Sequence, residues 1–253
     1  MQENKSEAGH WYDKDGNPAY TIIGANGKQR NTTLRDAKKL GLLPSVTTII
    51  GTAAKPGLQA WLQQQAILAA LTLPRIDGEE EKDYLDRVLA DSKAQGRQAA
   101  DRGSQIHGIL ESFFDGILLD AVPEYCRNAE NALKTAFGNR LWIPEKSASH
   151  ELGFAGKVDL YAKDDKVKGI PGAVVDFKTQ ETPLDKVVPY DDHIMQLAAY
   201  RELLGLEKAK CAIMFVNGLT NEVKLCEIEE EDLQKGLKCF LHLLRYYQIK
   251  SGL

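Results

Sequence analysis

Hydrophobic residues recur with two different periods along this chain. From residue 56 to about residue 138 they fall three and four apart, as one face of a helix requires. Beyond about residue 141 they alternate with polar residues or gather in short runs, as strands require. In the first stretch, "PGLQAWLQQQAILAAL" carries Pro56 near its first turn and aligns Leu58, Trp61, Leu62 and Ala66 on one face. Residues 79–115 read as helical almost throughout, with Gly96 and Gly103 as expected breaks. "PEYCRNAENALKTAFG" predicts a helix that opens on Pro123 and closes on Gly138. Ahead of these, "WYDKDGNPAYTII" predicts a hairpin about Asp15-Gly16-Asn17-Pro18, and "TLRDAKKLG" a short helix stopped by Gly41.

In the second stretch, "LWIPEKSASHELGFAGKVDLYAK" predicts two strands and "AVVDFKT" a third. "HIMQLAAYRELLG" predicts a helix ending at Gly205, and "KAKCAIMFVNG" with "NEVKLCEIE" a hairpin across Asn217-Gly218. An amphipathic helix from about Glu230 to Ile249 completes the pattern. An α-rich beginning followed by β-β-β-α-β-β-α predicts an α/β fold: a central mixed sheet flanked by helices, with an α-helical N-terminal elaboration. No linker separates independent domains, so one domain is expected over residues 1–253. Within it, residues 1–100 would form a hairpin and helical arch, and residues 101–253 the core.

Composition narrows the function classes. Hydrophobic residues make up 43% and charged residues 27%, an ordinary globular balance, and the net charge of −4 provides no global basic field for coating nucleic acid. A locally basic groove remains open, with Lys28, Arg30, Arg35, Lys38, Lys39 and Lys55 as candidate phosphate contacts and Trp61 as a candidate for base stacking. Cys126, Cys211, Cys226 and Cys239 lie far apart, without the spacing of a zinc site, an iron–sulfur cluster or a disulfide framework. The opening residues, "MQENKSEAGHWYDKDGN", show neither a secretory nor a transit pattern, and "AILAALTL" is too short to span a bilayer. No membrane partner and a cytoplasmic setting, bacterial or phage-encoded, are expected.

Candidate chemistry sits in the strand segments. In "VVDFKT", Asp176 and Lys178 point to one face and Val175 and Phe177 to the other. In "GFAGKVDLYA", Gly156 allows close approach by backbone or ligand, and Asp159 follows on the face opposite Val158 and Leu160. If these strands are antiparallel neighbours, Asp159 and Asp176 converge beside a lysine. Two convergent carboxylates are costly unless a cation lies between them, and a hard divalent ion with oxygen ligands answers that. Such an ion polarises a phosphoryl oxygen, and the ammonium orients water and stabilises developing charge. On the helices, His107 and Glu111 are four apart, as are Gln196 and Tyr200, so each pair shares a face. Each of these features alone has an ordinary structural explanation, such as a surface ion pair or a packed tyrosine.

The ordered set "RGSQIHGILE", "GKVD", "DFKT" and "QLAAY" resembles the PD-(D/E)xK nuclease superfamily. The nearer likeness is to its RecB- and Cas4-like branch, and "PSVTTII" and "SHELGFAGKVD" resemble phage exonucleases and the mitochondrial genome maintenance exonuclease. The resemblance spans roughly residues 44–215 and implies a restriction-endonuclease-like core. It implies Asp159 and Asp176 as metal-binding carboxylates, His107 as a further metal ligand, and Lys178 and Glu111 as catalytic residues. Gln196 and Tyr200 would support the lysine and contact DNA. Either Glu145 or Glu151 occupies the place of a further acidic residue. The implied cofactor is Mg²⁺ or Mn²⁺, without the iron–sulfur cluster of some relatives, since the cysteine spacing differs. The implied partner is DNA, single-stranded and with free ends. A structure- or site-specific endonuclease is the alternative, and a non-catalytic DNA-binding protein a more distant one.

Overall fold

A computed structural model describes residues 9–253. The opening residues 1–8, on which the absence of a leader was partly read, lie outside the described residues. Contacts divide the chain into two compact units: one runs to Thr52 and resumes over Ile109–Leu253, and the other is Ala53–Gly108.

The first unit is built on a mixed sheet of five strands, β5 (Ile143–His150), β6 (Phe154–Ala162), β7 (Ala173–Thr179), β8 (Lys210–Val216) and β9 (Val223–Ile228), side by side in that order. β5–β6, β6–β7 and β8–β9 pair antiparallel through short connections, and β7–β8 pair parallel. A parallel pair cannot be closed by a turn, and the crossover here is helix α6 (Asp191–Leu203). β7 is therefore the central strand, buried on both faces as far as Phe177. The expected order of strands and helices over this half of the chain is the observed one. At the β8–β9 turn the Asn217 side chain accepts from the backbone of Leu219 and Thr220, which fixes the reversal.

One face of the sheet carries α6, together with α2 (Val46–Ile50) and α7 (Glu230–Ser251), around a core that includes Phe154, Phe215, Phe240, Leu197 and Ile213. Arg201 of α6, itself buried, makes two charge-assisted hydrogen bonds to Glu230 at the start of α7, where the carboxylate also favours the helix dipole. Helix α5 (Glu124–Phe137) packs against β8 and β9, presenting Tyr125, Cys126, Ala129 and Leu133; Pro123 and Gly138 bound it as predicted. "PSVTTII", although β-branched, forms α2, because Ser45 caps it by accepting from the backbone N–H of Thr48.

The N-terminal hairpin needs correcting. Trp11–Tyr12 (β1) pair with Leu43–Pro44 (β4), while Thr21–Ile23 (β2) pair with Gln29–Asn31 (β3). The turn at Asp13–Asn17 does form, closed by the Asp13 carboxylate, and is followed by a bridge from Tyr12 to Pro18 and by the Ala19 N–H on the Trp11 carbonyl, before the chain turns to β3. Helix α1 (Leu34–Leu40) starts on a Thr33–Asp36 capping box and stops at Gly41, whose φ of +65° suits glycine.

The second unit consists of α3 (Pro56–Thr72) and most of α4 (Glu81–Phe114). The reversal between them is held by the Tyr84 hydroxyl on the Ala70 carbonyl and by Arg87 on Glu79. Neither Gly96 nor Gly103 breaks α4. An interior glycine costs a helix only about 1 kcal/mol, and the Trp61 indole lies 3.7 Å from where a Cβ on Gly96 would stand, an ordinary van der Waals contact. Trp61 remains 38% exposed, and the Leu58 and Leu62 beside it are more exposed still. Among the described residues no helix is long and apolar enough to cross a membrane.

Candidate active site

The β6–β7 ladder pairs Ala162 with Ala173, Tyr161 with Val174 and Leu160 with Val175, then stops. The next facing residues in that register are Asp159 and Asp176. Here the Asp159 carboxylate takes over from the backbone, its Oδ2 accepting from the Phe177 N–H at 2.8 Å. The two strands part at this point, and the two carboxylates stand within hydrogen-bond reach of each other. Sequence reasoning expected this convergence, and the antiparallel register produces it.

Lys178 and Gln196 complete the cluster. The Lys178 ammonium lies 2.5 Å from Asp176 Oδ2 and donates to Gln196 Oε1 at 3.0 Å. Gln196 donates in turn through its amide to Asp176 Oδ1 at 2.8 Å and to the Tyr200 hydroxyl at 3.0 Å. Gln196 and Tyr200 reach the same point because they lie one turn apart on α6. Asp176 is only 1% exposed, while Asp159 and Lys178 keep partial access to solvent. Both amide N–H groups of Gln196 are engaged inside the cluster, and Tyr200 is 4% exposed. The DNA contact implied for this pair would have to reach Tyr200 through that cluster. In this geometry the two residues brace Asp176 and Lys178.

Electrostatics follow from burial. Desolvation pushes the Asp159 pKa up, against the opposing pull of Lys178, the Phe177 N–H and Lys157. For Lys178, burial favours the neutral amine, but the charges of Asp176 and Asp159 outweigh it, and the pKa rises above its ordinary 10.5. Lys178 therefore stays protonated at neutral pH. The Tyr200 phenol, buried beside two carboxylates, is held neutral. Two carboxylates with one ammonium leave an excess negative charge facing the open side at Asp159. That donor set fits a hard divalent cation, which binds through one or two carboxylates and fills its remaining positions with water and substrate oxygens. Among the described residues, no three His, Cys, Asp or Glu side chains are grouped closely enough to hold a metal by themselves.

His107 and Glu111 lie one turn apart on α4, both half-buried, with the unit boundary between them. Phe114, in the last turn of α4, stacks on Phe177 at 6.2 Å, which brings the Glu111 end of the helix to β7. Of Glu145 and Glu151, Glu145 lies nearer the carboxylate pair in the sheet register. It faces Asp159 in the β5–β6 register, between the pairs Pro144–Leu160 and Lys146–Val158, and its carboxylate is ion-paired to Lys157. Its φ of +53° is uncommon for a residue other than glycine. Glu151 is exposed in the following turn. Sequence reasoning missed Lys157, two residues before Asp159 on the same strand, and Asp192, whose charge also acts on Lys178. The i, i+2 spacing in "GKVD" was the signal available for the first. Arg30, a candidate phosphate contact, makes two hydrogen bonds to Asp36 through its guanidinium.

Gly156 has a different purpose from the one expected. A Cβ there would stand 2.9 Å from Cε1 of Tyr200, so its absence accommodates the Tyr200 ring rather than a ligand. Gly156→Ala is expected to destabilise the fold by about 1–3 kcal/mol through overpacking, measurable by urea denaturation. An unchanged midpoint would show that the ring moves aside freely.

No family model matches the chain, and no curated protein matches it. Among solved structures it is similar to a protein named SSO0001 at 16% identity and a TM-score of 0.30, covering 74% of this chain and 86% of that one. It is similar to a protein from Eubacterium rectale provisionally named an exonuclease, at 16% identity and a TM-score of 0.39, covering 59% and 68%. It is also similar to an alkaline exonuclease, LHK-Exo, from Laribacter hongkongensis, at 12% identity and a TM-score of 0.35, covering 77% and 98%. Likeness at this level carries neither fold family nor function across to this chain.

Proposed function

We propose that the protein is a metal-dependent deoxyribonuclease that hydrolyses phosphodiester bonds, acting as an exonuclease on single-stranded DNA with free ends. The observation that supports this most is the cluster at the open end of the β6–β7 ladder: two convergent carboxylates, one buried, with a protonated lysine fixed between Asp176 and Gln196. A divalent cation held by Asp159 and Asp176 would neutralise charge on the phosphodiester and make its phosphorus more open to attack.

The chain's own groups do the rest. An ammonium has three N–H donors, and Asp176 and Gln196 occupy two of those on Lys178. The third is left for the attacking water or a phosphate oxygen. Because Lys178 stays protonated, it orients water and stabilises developing negative charge instead of accepting a proton. Gln196 ties Lys178 to Asp176 by hydrogen bonds to both, and Tyr200 accepts from the Gln196 amide. His107 as a further metal ligand and Glu111 as an assisting acid complete the reading, on the motif resemblance.

The preference for ends rests on that resemblance too, and a direct experiment tests it. With Mg²⁺ or Mn²⁺, a linear single strand should be degraded and a closed circle of the same sequence spared, with EDTA abolishing cleavage. Rapid nicking of the circle would move the assignment to an endonuclease, and cleavage in EDTA would remove the metal from the reading.

A further inference from the structure

Beyond the catalytic strand, residues 180–190 form a loop whose backbone is tied down from three sides. Gln180 N–H bonds to the Val216 carbonyl at 3.0 Å, which extends the line of β7. The buried Asn217 side chain donates to the Thr182 carbonyl at 3.2 Å, and Lys224 Nζ donates to the carbonyls of Asp185 and Val187 at 3.1 and 2.8 Å. Leu184, 5% exposed, anchors the middle of the loop in the core. The loop is therefore preformed, and it borders a cavity of about 530 Å³ lined by Thr182, Pro183, Asp185, Lys186, Val187 and Tyr190 among others.

Tyr190 is the unusual member. It is 63% exposed although its neighbours are held in place, and its ring is backed by the half-buried His193 at 5.3 Å. A large aromatic left open above a braced pocket, with Lys186 lining the same pocket, has the composition of a stacking platform for a base with a phosphate contact alongside. Its position matches. Gln180 is two residues beyond Lys178 on an extended strand, about 7 Å along, which is close to one nucleotide step of an extended single strand. Asp192, two residues beyond Tyr190, is near enough for its charge to act on Lys178.

We propose that this pocket is a nucleobase subsite, in which Tyr190 stacks on the base one nucleotide from the cleaved phosphate and Lys186 contacts the adjoining backbone. The proposal rests on the nuclease reading above, and adds to it where the strand lies and why unpaired bases are needed: a base still in a duplex offers no free face to Tyr190.

The test is binding of a short fluorescein-labelled single strand, followed by anisotropy in Ca²⁺ without turnover. Tyr190→Ala should weaken affinity about 5- to 150-fold, the range set by loss of one base–aromatic stack. Tyr190→Phe should bind like wild type, and since Tyr190 is exposed, both variants should fold. A set of strands with one abasic position moved stepwise gives the second arm. Wild type should lose affinity most at one position, and Tyr190→Ala should be indifferent there. Affinity within twofold of wild type in Tyr190→Ala, or an unchanged response to the abasic position, would overturn the subsite. If Lys178→Ala abolishes turnover while Tyr190→Ala binds normally, the nuclease reading stands and the subsite alone falls. If wild type neither binds nor cleaves DNA, both fall.

Discussion

Lys178→Ala is expected to slow phosphodiester cleavage at least ~10²-fold, with oligonucleotide affinity in Ca²⁺ nearly unchanged. The magnitude is that of removing one positioned donor from a developing negative charge. Two of the three N–H donors of Lys178 are fixed by Asp176 and Gln196, so the third has a defined direction, and alanine removes it without disturbing the carboxylates that would hold the cation. The same variant should also lose thermal stability at neutral pH. Asp176 is 1% exposed, and the variant takes away the ammonium at its Oδ2 while the Gln196 amide still donates to Oδ1. A divalent cation should restore much of that loss, since it places positive charge beside the same carboxylate. A solvated surface pair would behave differently, costing about 0–1 kcal/mol in stability and no activity. Wild-type turnover in Lys178→Ala would mean that Asp176 and Lys178 are only such a structural pair.

The strand carrying this pair was legible because its cues agree: β-branched residues at 174 and 175, a glycine before them at 172 and polar residues after. The same agreement made α5, α6 and the β8–β9 hairpin legible, each punctuated by glycine, proline or asparagine. Convergence of Asp159 and Asp176 followed from alternation and an assumed antiparallel neighbour, and the register supplies that neighbour. The central position of β7 was not legible. "VVDFKT" also fits an edge strand, and only the β7-α6-β8 crossover, a long-range pairing, buries both its faces. Local cues misled where tertiary contacts decide. Gly96 reads as a helix break but lies within the unbroken α4, Gly156 reads as clearance for backbone or ligand but makes room for Tyr200, and in the run at residues 11–23 Trp11–Tyr12 pair with Leu43–Pro44 while Thr21–Ile23 pair with Gln29–Asn31. Gln196 was legible as a partner of Tyr200 by spacing. That its amide would tie lysine to aspartate depends on α6 lying across β7, which spacing alone does not fix.

Asp159→Asn should abolish cleavage and at the same time make the folded protein more stable at neutral pH. Asparagine keeps an acceptor for the Phe177 N–H, so the opening of the ladder survives, and its amide can donate to Asp176 where two carboxylates previously faced each other. The direction of the pKa shift gives the sign. The folded-state pKa of Asp159 lies above its unfolded value, chiefly through desolvation, so its favourable contribution is complete below the unfolded pKa and is lost as pH rises through the folded pKa. At pH 7 the wild type therefore holds an unfavourable charge that asparagine lacks. Thermal melts should place Asp159→Asn above wild type at pH 7, with the gap closing as the pH falls below about 4, where the unfolded carboxylate also takes up its proton. Mg²⁺ should raise the melting temperature of wild type and do little for the variant, because half of the carboxylate pair is gone. Turnover should fall at least ~10³-fold, the upper end for losing one group that stabilises transition-state charge. A variant less stable than wild type at pH 7 would show that the carboxylate serves the fold through its hydrogen bond to Phe177. A variant that still cleaves would remove Asp159 from the active site.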